Sequence, residues 1–377
     1  MTNVTTNSAR FLWSIPVGGG QKAASDARNF GFDLEEMIQY AQRAEALGIE
    51  QLLLGVGFHC PDPIAFIGSL IRSTKRIKFL LAYRAGSISP TTFVQMINTL
   101  SALGDDRVSL NMLAGISPIE QKYYGDHLEK THRQQRLDEF ITICERFWLD
   151  SCPVDHKGPH YHIEQGQLVI GYSNSKRHAP EMFISGNSAT SMQSAMKHKA
   201  CWLRYSDTVD KVAADIKEAV AEGVEVGIRM SLIIRQTREE AQLKISEMMN
   251  GADAEWAGVI EGFVKTCDSQ AVKSVFDIAT QAQDDWADDY IWTGAVPFRG
   301  GPALALVGTP QEVADYIMRY KSAGVSVFLF SGWPQLDEME RFTTQVIPLI
   351  RAQEAQLSAA GKAPLLEIDH VAEVDHG

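Results

Sequence analysis

The chain has 377 residues, long enough for one large domain or two ordinary ones, with 45% hydrophobic and 22% charged residues. That composition excludes a disordered or fibrous chain. Thirty-five Lys and Arg stand against 47 Asp and Glu, for a net charge of −12, which argues against broad binding to phosphate backbones or anionic membranes but leaves room for a small anionic substrate.

The five cysteines, Cys60, Cys144, Cys152, Cys201 and Cys267, are odd in number and lack CxxC spacing. Neither a disulfide framework nor a zinc ribbon is indicated. The first sixteen residues lack a basic segment leading into a long apolar one, and no apolar run approaches the roughly 18 residues that cross a bilayer. The expectation is a cytoplasmic protein with reduced thiols.

In chain order, Phe11–Ile15 reads as a short strand stopped by Pro16 and the run Gly18-Gly19-Gly20. Asp33 is a candidate N-cap for a helix whose apolar positions Leu34, Met37, Ile38, Ala41, Ala44 and Leu47 recur at 3–4 spacing, with Gly48 at its end. There follow a strand over Gln51–Val56, a helix over Pro63–Arg72, a strand over Ile77–Tyr83, a helix over Pro90–Leu103 and a strand over Val108–Leu113. A helix covers Arg133–Leu149, and residues 151–180 form a hairpin and loop. Next come a strand over Glu181–Ser185, a helix over Ser188–Lys197, a strand over Cys201–Tyr205 and a helix over Thr208–Glu222. Val226–Ile234 is the longest strand, and Glu239–Met249 is helical. Residues 251–308 form an insertion with a helical first half and a Gly-rich end, Phe298-Arg299-Gly300-Gly301-Pro302. A helix over Pro310–Ala323, a strand over Ser326–Phe330 and a helix over Leu336–Ile350 close the fold, and 352–377 is a polar tail, flexible or docked on a neighbouring subunit.

Eight strands alternating with helices require parallel pairing through crossovers. The fold class is therefore α/β, a (β/α)8 TIM barrel with insertions, in a single domain over 1–351. A doubly wound open sheet is the competitor. It is disfavoured because the first Gly run is not a G-x-G-x-x-G leading directly into a helix.

Reacting groups in such barrels lie at the C-terminal ends of strands. Ser185-Gly186-Asn187-Ser188 follows a strand and opens a helix, where amide groups and the helix dipole can meet a phosphate or simply cap the helix. Within Val226–Ile234, Ile228, Met230, Leu232 and Ile234 share one face, so Arg229 and Ser231 turn into the barrel. An inward arginine needs a carboxylate or an anionic ligand. Arg299, in the Gly-rich insertion, is either a clamp on the same anion or a surface residue. Cys60 follows His59 at the end of the second strand, but adjacent side chains point apart, which favours a packed cysteine lining a pocket over a nucleophile. Asp155, His156, His160 and His162 have metal-like spacing, yet a hairpin separates them onto opposite faces, so no metal site is expected.

Taken in order, Arg76–Leu80 with Ser89-Pro90-Thr91, Asn111–Gly115, Gly227-Ile228-Arg229, Arg299-Gly300-Gly301, Ala305–Gly308 and Ser331-Gly332-Trp333-Pro334 resemble the bacterial luciferase-like superfamily of flavin-dependent monooxygenases. The resemblance spans about 11–350 and is closest to the FMNH2-dependent alkanesulfonate monooxygenases. It implies reduced FMN in the mouth of a TIM barrel, supplied by a separate NAD(P)H-dependent flavin reductase. Oxygen adds at C4a of the flavin, and the peroxide oxidises a small-molecule substrate. It further implies a homodimer or homotetramer. Carried onto this chain, Asn111 in the stretch ending at Gly115 would contact the isoalloxazine ring, while Gly186, Asn187 and Ser188 would hold the phosphate. Cys60 matches the family's active-site cysteine, and Arg229 and Arg299 match its two arginines.

Three positions depart from the sulfonate pattern: Val17-Gly18 replaces a histidine, Ser231 replaces a second histidine, and Trp333 stands where the family carries tyrosine. A hydroxyl at Ser231 removes a group that titrates near neutrality. Flavin monooxygenation is thus the firmer implication and an alkanesulfonate or other organosulfur compound the leading substrate. The alternatives are the same chemistry on another intermediate, an F420-dependent oxidoreductase, or a non-enzymatic flavin-binding barrel.

Overall fold

The computed structural model describes residues 8–16, 32–150, 153–173 and 178–359. The Gly18–Gly20 loop, the Val17-Gly18 departure, Cys152 and the end of the tail lie outside the described residues. Eight strands form the barrel: β1 (Arg10–Ser14), β2 (Gln51–Leu54), β3 (Lys78–Arg84), β4 (Val108–Leu113), β5 (Met182–Ser185), β6 (Cys201–Tyr205), β7 (Val226–Ile234) and β8 (Val325–Gly332). Each is parallel to its neighbours, and pairing of β8 with β1 closes the ring. These are the eight strands read from the apolar runs, three with the expected bounds and five with ends shifted by one or two residues.

Start signals set the crossovers. Asp62, Ser89, Ser117 and Thr309 each precede a proline and accept a hydrogen bond from the amide three residues on, at Ala65, Thr92, Glu120 and Glu312. Proline is tolerated there because the first helical amide has no intrahelical partner. The short helix Pro118–Tyr123 was not expected from the sequence.

Alternation along the strands divides the interior into layers. The middle is apolar: Leu12, Leu53, Leu80, Ala82, Phe183, Cys201, Leu203, Val327 and Leu329. The floor is ionic. Arg10 meets Glu50 at 2.6 Å, Glu181 at 2.7 Å and Glu225 at 3.1 Å, and Gln51 donates to Glu181 at 3.0 Å. Burial opposes the Arg10 charge, but the three carboxylates, Glu181 foremost, raise its pKa above the ordinary arginine range. Removing one partner from such a cluster costs about 3 kcal/mol or more, because the rest stay buried. Outside the barrel, Ile228, Met230, Leu232 and Ile234 pack on the helices as expected, each fully buried.

Two segments depart from the eightfold rhythm. The hairpin lies within 151–180, with Val154–Lys157 antiparallel to His162–Gly166. His156 there bonds Glu139 at 2.9 Å. The insertion contains helices Ala254–Thr266 and Gln270–Gln281, and its last residues, Ala305–Gly308, return to the sheet. They pair with Ser231–Ile234 on β7, above the point where β6 ends at Tyr205↔Arg229. The sheet is therefore taller on that side.

The closing helix also outruns its expected end, continuing to Ala359. Glu354 holds it, accepting from the Ala9 amide at 2.7 Å and pairing with Lys321 and Arg351. Arg351 donates in turn to the Ala9 carbonyl at 2.7 Å. Residues 352–359 thus belong to the barrel rather than to a tail.

Candidate active site at the mouth of the barrel

The C-terminal ends of the strands bring together Ser14, Cys60, Arg84, Asn111, Ser185, Tyr205, Arg229, Ser231 and Ser331. The floor is locked in ion pairs, so an incomplete polar arrangement at this end is the one that invites a ligand.

On β4, Asn111 is 5% exposed and accepts from Ser185 Oγ at 2.6 Å. That bond orients the amide and leaves Nδ2 as a donor without a protein acceptor among the described residues. Next along β5, Gly186 has φ +142°, and a Cβ there would come within 2.5 Å of Ser191 Oγ. Its carbonyl is taken by Trp202 Nε1 at 2.6 Å. Ser188 caps the helix Ala189–Lys197 through the Ser191 amide at 3.1 Å. The amides of Asn187, Ser188, Ala189 and Thr190 have no protein acceptor among the described residues, and the first turn carries no acidic residue. These are the features of an anion cradle. The Asn187 side chain, in contrast, is committed to protein: Oδ1 accepts from the Tyr205 amide at 3.0 Å, and Nδ2 donates to Ser274 Oγ at 3.1 Å. Its contribution to an anion is its backbone.

Arg229 projects from β7 as the alternation requires. Its Nη2 lies 3.4 Å from Ser14 Oγ, its guanidinium is 5.9 Å from the Tyr205 ring centre, and Nε is buried without an acceptor. No carboxylate lies within ion-pair distance among the described residues. The half-buried guanidinium therefore has donors to offer to a ligand.

Cys60 is partly exposed, and its Sγ lies 3.6 Å from where a Cβ on Gly55 would project. Burial first and the Glu120 carboxylate second push the thiol up to about 11, against the opposing influence of Arg229. At neutral pH it is a thiol and not a nucleophilic thiolate.

Ser231 is fully buried. Its Oγ donates to the Pro302 carbonyl at 2.8 Å and lies 2.9 Å from Ser331 Oγ. It anchors the Gly-rich end of the insertion to the barrel. Gly301 packs flat on Tyr205, where a Cβ would come within 2.5 Å of the ring. Arg299 ends the short helix Val296–Arg299, two residues before Gly301 in the chain. Trp333 is 5% exposed and belongs to the outer hydrophobic core. Gly115, at φ +88°, packs against Gln121 and Arg84.

Sequence reasoning missed Glu120. It pairs with Arg84 at 3.1 Å and accepts from the Phe58 amide at 3.1 Å, tying the loop after β2 to the end of β3. The Ser117-Pro118 start signal marked its helix, but the partner lies 36 positions away on another strand.

The fold and site define a TIM-barrel enzyme whose mouth carries a helix start with open amides, a fixed side-chain amide and an arginine with no carboxylate within ion-pair distance among the described residues. The family model described as luciferase-like monooxygenase matches residues 9–326, and the chain belongs to that family, the flavin-dependent monooxygenases. Among solved structures, a riboflavin lyase with modified FMN and riboflavin is similar at TM-score 0.75 and 18% identity, over 97% of this chain and 98% of that one. The EDTA monooxygenase from Chelativorans sp. BNC1 is similar at TM-score 0.72 and 18% identity, over 92% and 94%. An F420-dependent secondary alcohol dehydrogenase in complex with an F420-acetone adduct has TM-score 0.64 and 16% identity, over 92% and 100%. At these identities the likeness is one of fold. No helix of the described residues is long and apolar enough to cross a membrane.

Proposed function

We propose that the chain is the oxygenase component of a two-component system. It takes FMNH2 from a separate NAD(P)H-dependent flavin reductase and uses O2 to oxidise a small anionic substrate, with an alkanesulfonate or other organosulfur compound as the leading class. The observation that carries this reading is Arg229, a charge at the mouth with no carboxylate within ion-pair distance among the described residues. Reduced FMN, when bound, supplies the electrons that activate O2. The protein's part is to hold the phosphate on the amides of Asn187 to Thr190, with Ser188 capping their helix, and the ring near Asn111. Arg229 and Arg299 bind the substrate anion. Cys60 stays protonated and lines the pocket. Ser231 positions the insertion from β7, and Trp333 backs the last strand from the core.

The competing reading is an F420-dependent oxidoreductase, favoured by the same barrel in the alcohol dehydrogenase. Anaerobic equilibrium binding separates them: the chain is expected to bind FMNH2 and to prefer it to reduced F420. Oxygen from isotopically labelled O2 is then expected in product when sulfonates are supplied with a reductase. Tighter binding of F420, with no oxygen incorporated, would overturn the assignment.

A further inference from the structure

The rim of the mouth beside Cys60 carries aromatic surface that the chemistry proposed above does not use. Phe58 is 65% exposed and Tyr123 is 64% exposed, and their rings meet edge to face at 5.7 Å. The His59 ring lies 5.3 Å from Phe58 on the other side. An exposed phenylalanine alone needs no explanation. This one stands on a rigid foundation. The Phe58 amide donates to Glu120 Oε1 at 3.1 Å, Glu120 pairs with the buried Arg84, and the Arg84 guanidinium stacks 4.4 Å from the Tyr124 ring centre. A turn closed by the Cys60 amide on the Gly57 carbonyl at 3.0 Å fixes the loop itself. The backbone that carries Phe58 is thereby fixed, and its ring rests on that of Tyr123 at the surface.

The same loop continues into the mouth. Cys60 turns its sulfur toward Gly55, on the inward row of β2, and it lies within the electrostatic reach of both Arg229 and Glu120. The loop thus joins the ring pair to a neutral thiol that feels the charge of Arg229, which has no carboxylate within ion-pair distance among the described residues. Charge along its outer half is cancelled, because Arg84 and Glu120 neutralise each other, and burial lowers the His59 pKa against the pull of Glu120, which keeps the imidazole neutral at pH 7.

We propose that Phe58 and Tyr123 form a specificity subsite, and that the substrate is an anion with an aromatic or comparably broad apolar group which lies against this rim while its charged head reaches Arg229. The inference rests on the reading of the mouth as the active site. A short alkyl anion would satisfy Arg229 and leave the rings wet.

The test is calorimetric binding of naphthalene-2-sulfonate and methanesulfonate to the FMN-loaded protein. Naphthalene-2-sulfonate is expected to bind at least about tenfold more tightly, the typical gain from burying an aromatic group against two rings. Phe58→Ala and Tyr123→Ala are each expected to remove most of that preference while leaving methanesulfonate binding unchanged, and Phe58→Tyr to retain it. Equal affinity of the two sulfonates, or a preference indifferent to both alanine variants, would overturn the subsite and leave the anion site intact. Failure of either sulfonate to bind would remove the anion reading as well. Should the alanine variants alter the oligomeric mass in ultracentrifugation and not the preference, the rim is a contact between copies of the chain.

Discussion

Asn187 Nδ2 donates to Ser274 Oγ at 3.1 Å, joining the loop after β5, where we propose the phosphate sits, to a helix of the insertion 87 residues later. The same side chain accepts from the Tyr205 amide, and Tyr205 in turn carries Gly301 on its ring. Three segments that surround the mouth are thus fastened at one amide. Asn187→Ala is expected to lose three partly buried hydrogen bonds, one of them long at 3.5 Å to the Tyr205 carbonyl, about 1–2 kcal/mol in all, and to speed hydrogen exchange selectively in 270–281. Unchanged exchange there would show that the insertion is held elsewhere.

Ser188→Asp tests the cradle by charge alone. Aspartate caps a helix as well as serine, so folding is expected to be preserved. A carboxylate beside a phosphate is expected to weaken FMN binding roughly tenfold or more. The comparison with riboflavin, which lacks the phosphate, is decisive: its affinity is expected to change little. A parallel loss for both flavins would place the phosphate elsewhere.

Arg229→Leu is expected to separate function from stability. With no carboxylate partner among the described residues to strand, the substitution is expected to leave the melting temperature unchanged or raise it, while sulfonate binding falls by at least about tenfold. A pronounced loss of stability would reveal a structural role.

Cys60 is expected to be unreactive. A thiol pushed from 9.0 up to about 11 holds roughly a hundredfold less thiolate near pH 8 than an unperturbed one. Alkylation by iodoacetamide at that pH is expected to be slow, and to rise only as pH approaches 11. Rapid modification at pH 7 would restore the nucleophile as a candidate.

His198 makes stability depend on pH. It is buried between two carboxylates, with Nδ1 2.9 Å from Glu145 and Nε2 2.8 Å from Asp138. Burial lowers its pKa, but Glu145 and then Asp138 more than offset this, and the net direction is upward from 6.5. A raised folded-state value means that the contribution is fully present below the unfolded value and is lost as pH rises through the folded one. His198→Gln is expected to destabilise by about 2 kcal/mol near pH 6, in the range of hydrogen bonds to charged groups, and by clearly less at pH 9. Urea unfolding at the two pH values measures the difference. An identical loss at both would assign His198 to packing.

The barrel itself was legible in the sequence because each strand is a short apolar run bounded by a turn, as in Gln51–Leu54, and eight such runs alternating with helices favour closure over an open doubly wound sheet. Ala305–Gly308 escaped because four small apolar residues beside Gly301-Pro302 do not announce a strand without their neighbour on β7. Arg229 was legible from period-2 alternation. Ser231 was placed on the correct face, but its capture by the Pro302 carbonyl depends on how the insertion returns. Glu120 was out of reach for the same kind of reason: its meaning lies in Arg84 and Phe58, which only the closed barrel brings near.

The seam between β1 and β8 has a consequence for biosynthesis. Four residue pairs, Arg10↔Val327 to Trp13↔Phe330, join the first strand to the last, and Ala9 is clasped by Glu354 and Arg351 on the closing helix. A nascent chain emerging from the ribosome holds β1 with one edge bare until more than three hundred further residues have been made. The barrel shuts only once β8 has been made. During that interval Phe11, Leu12 and Trp13 form an unsatisfied apolar strand edge, the kind of surface that chaperones shield and that aggregates when they do not.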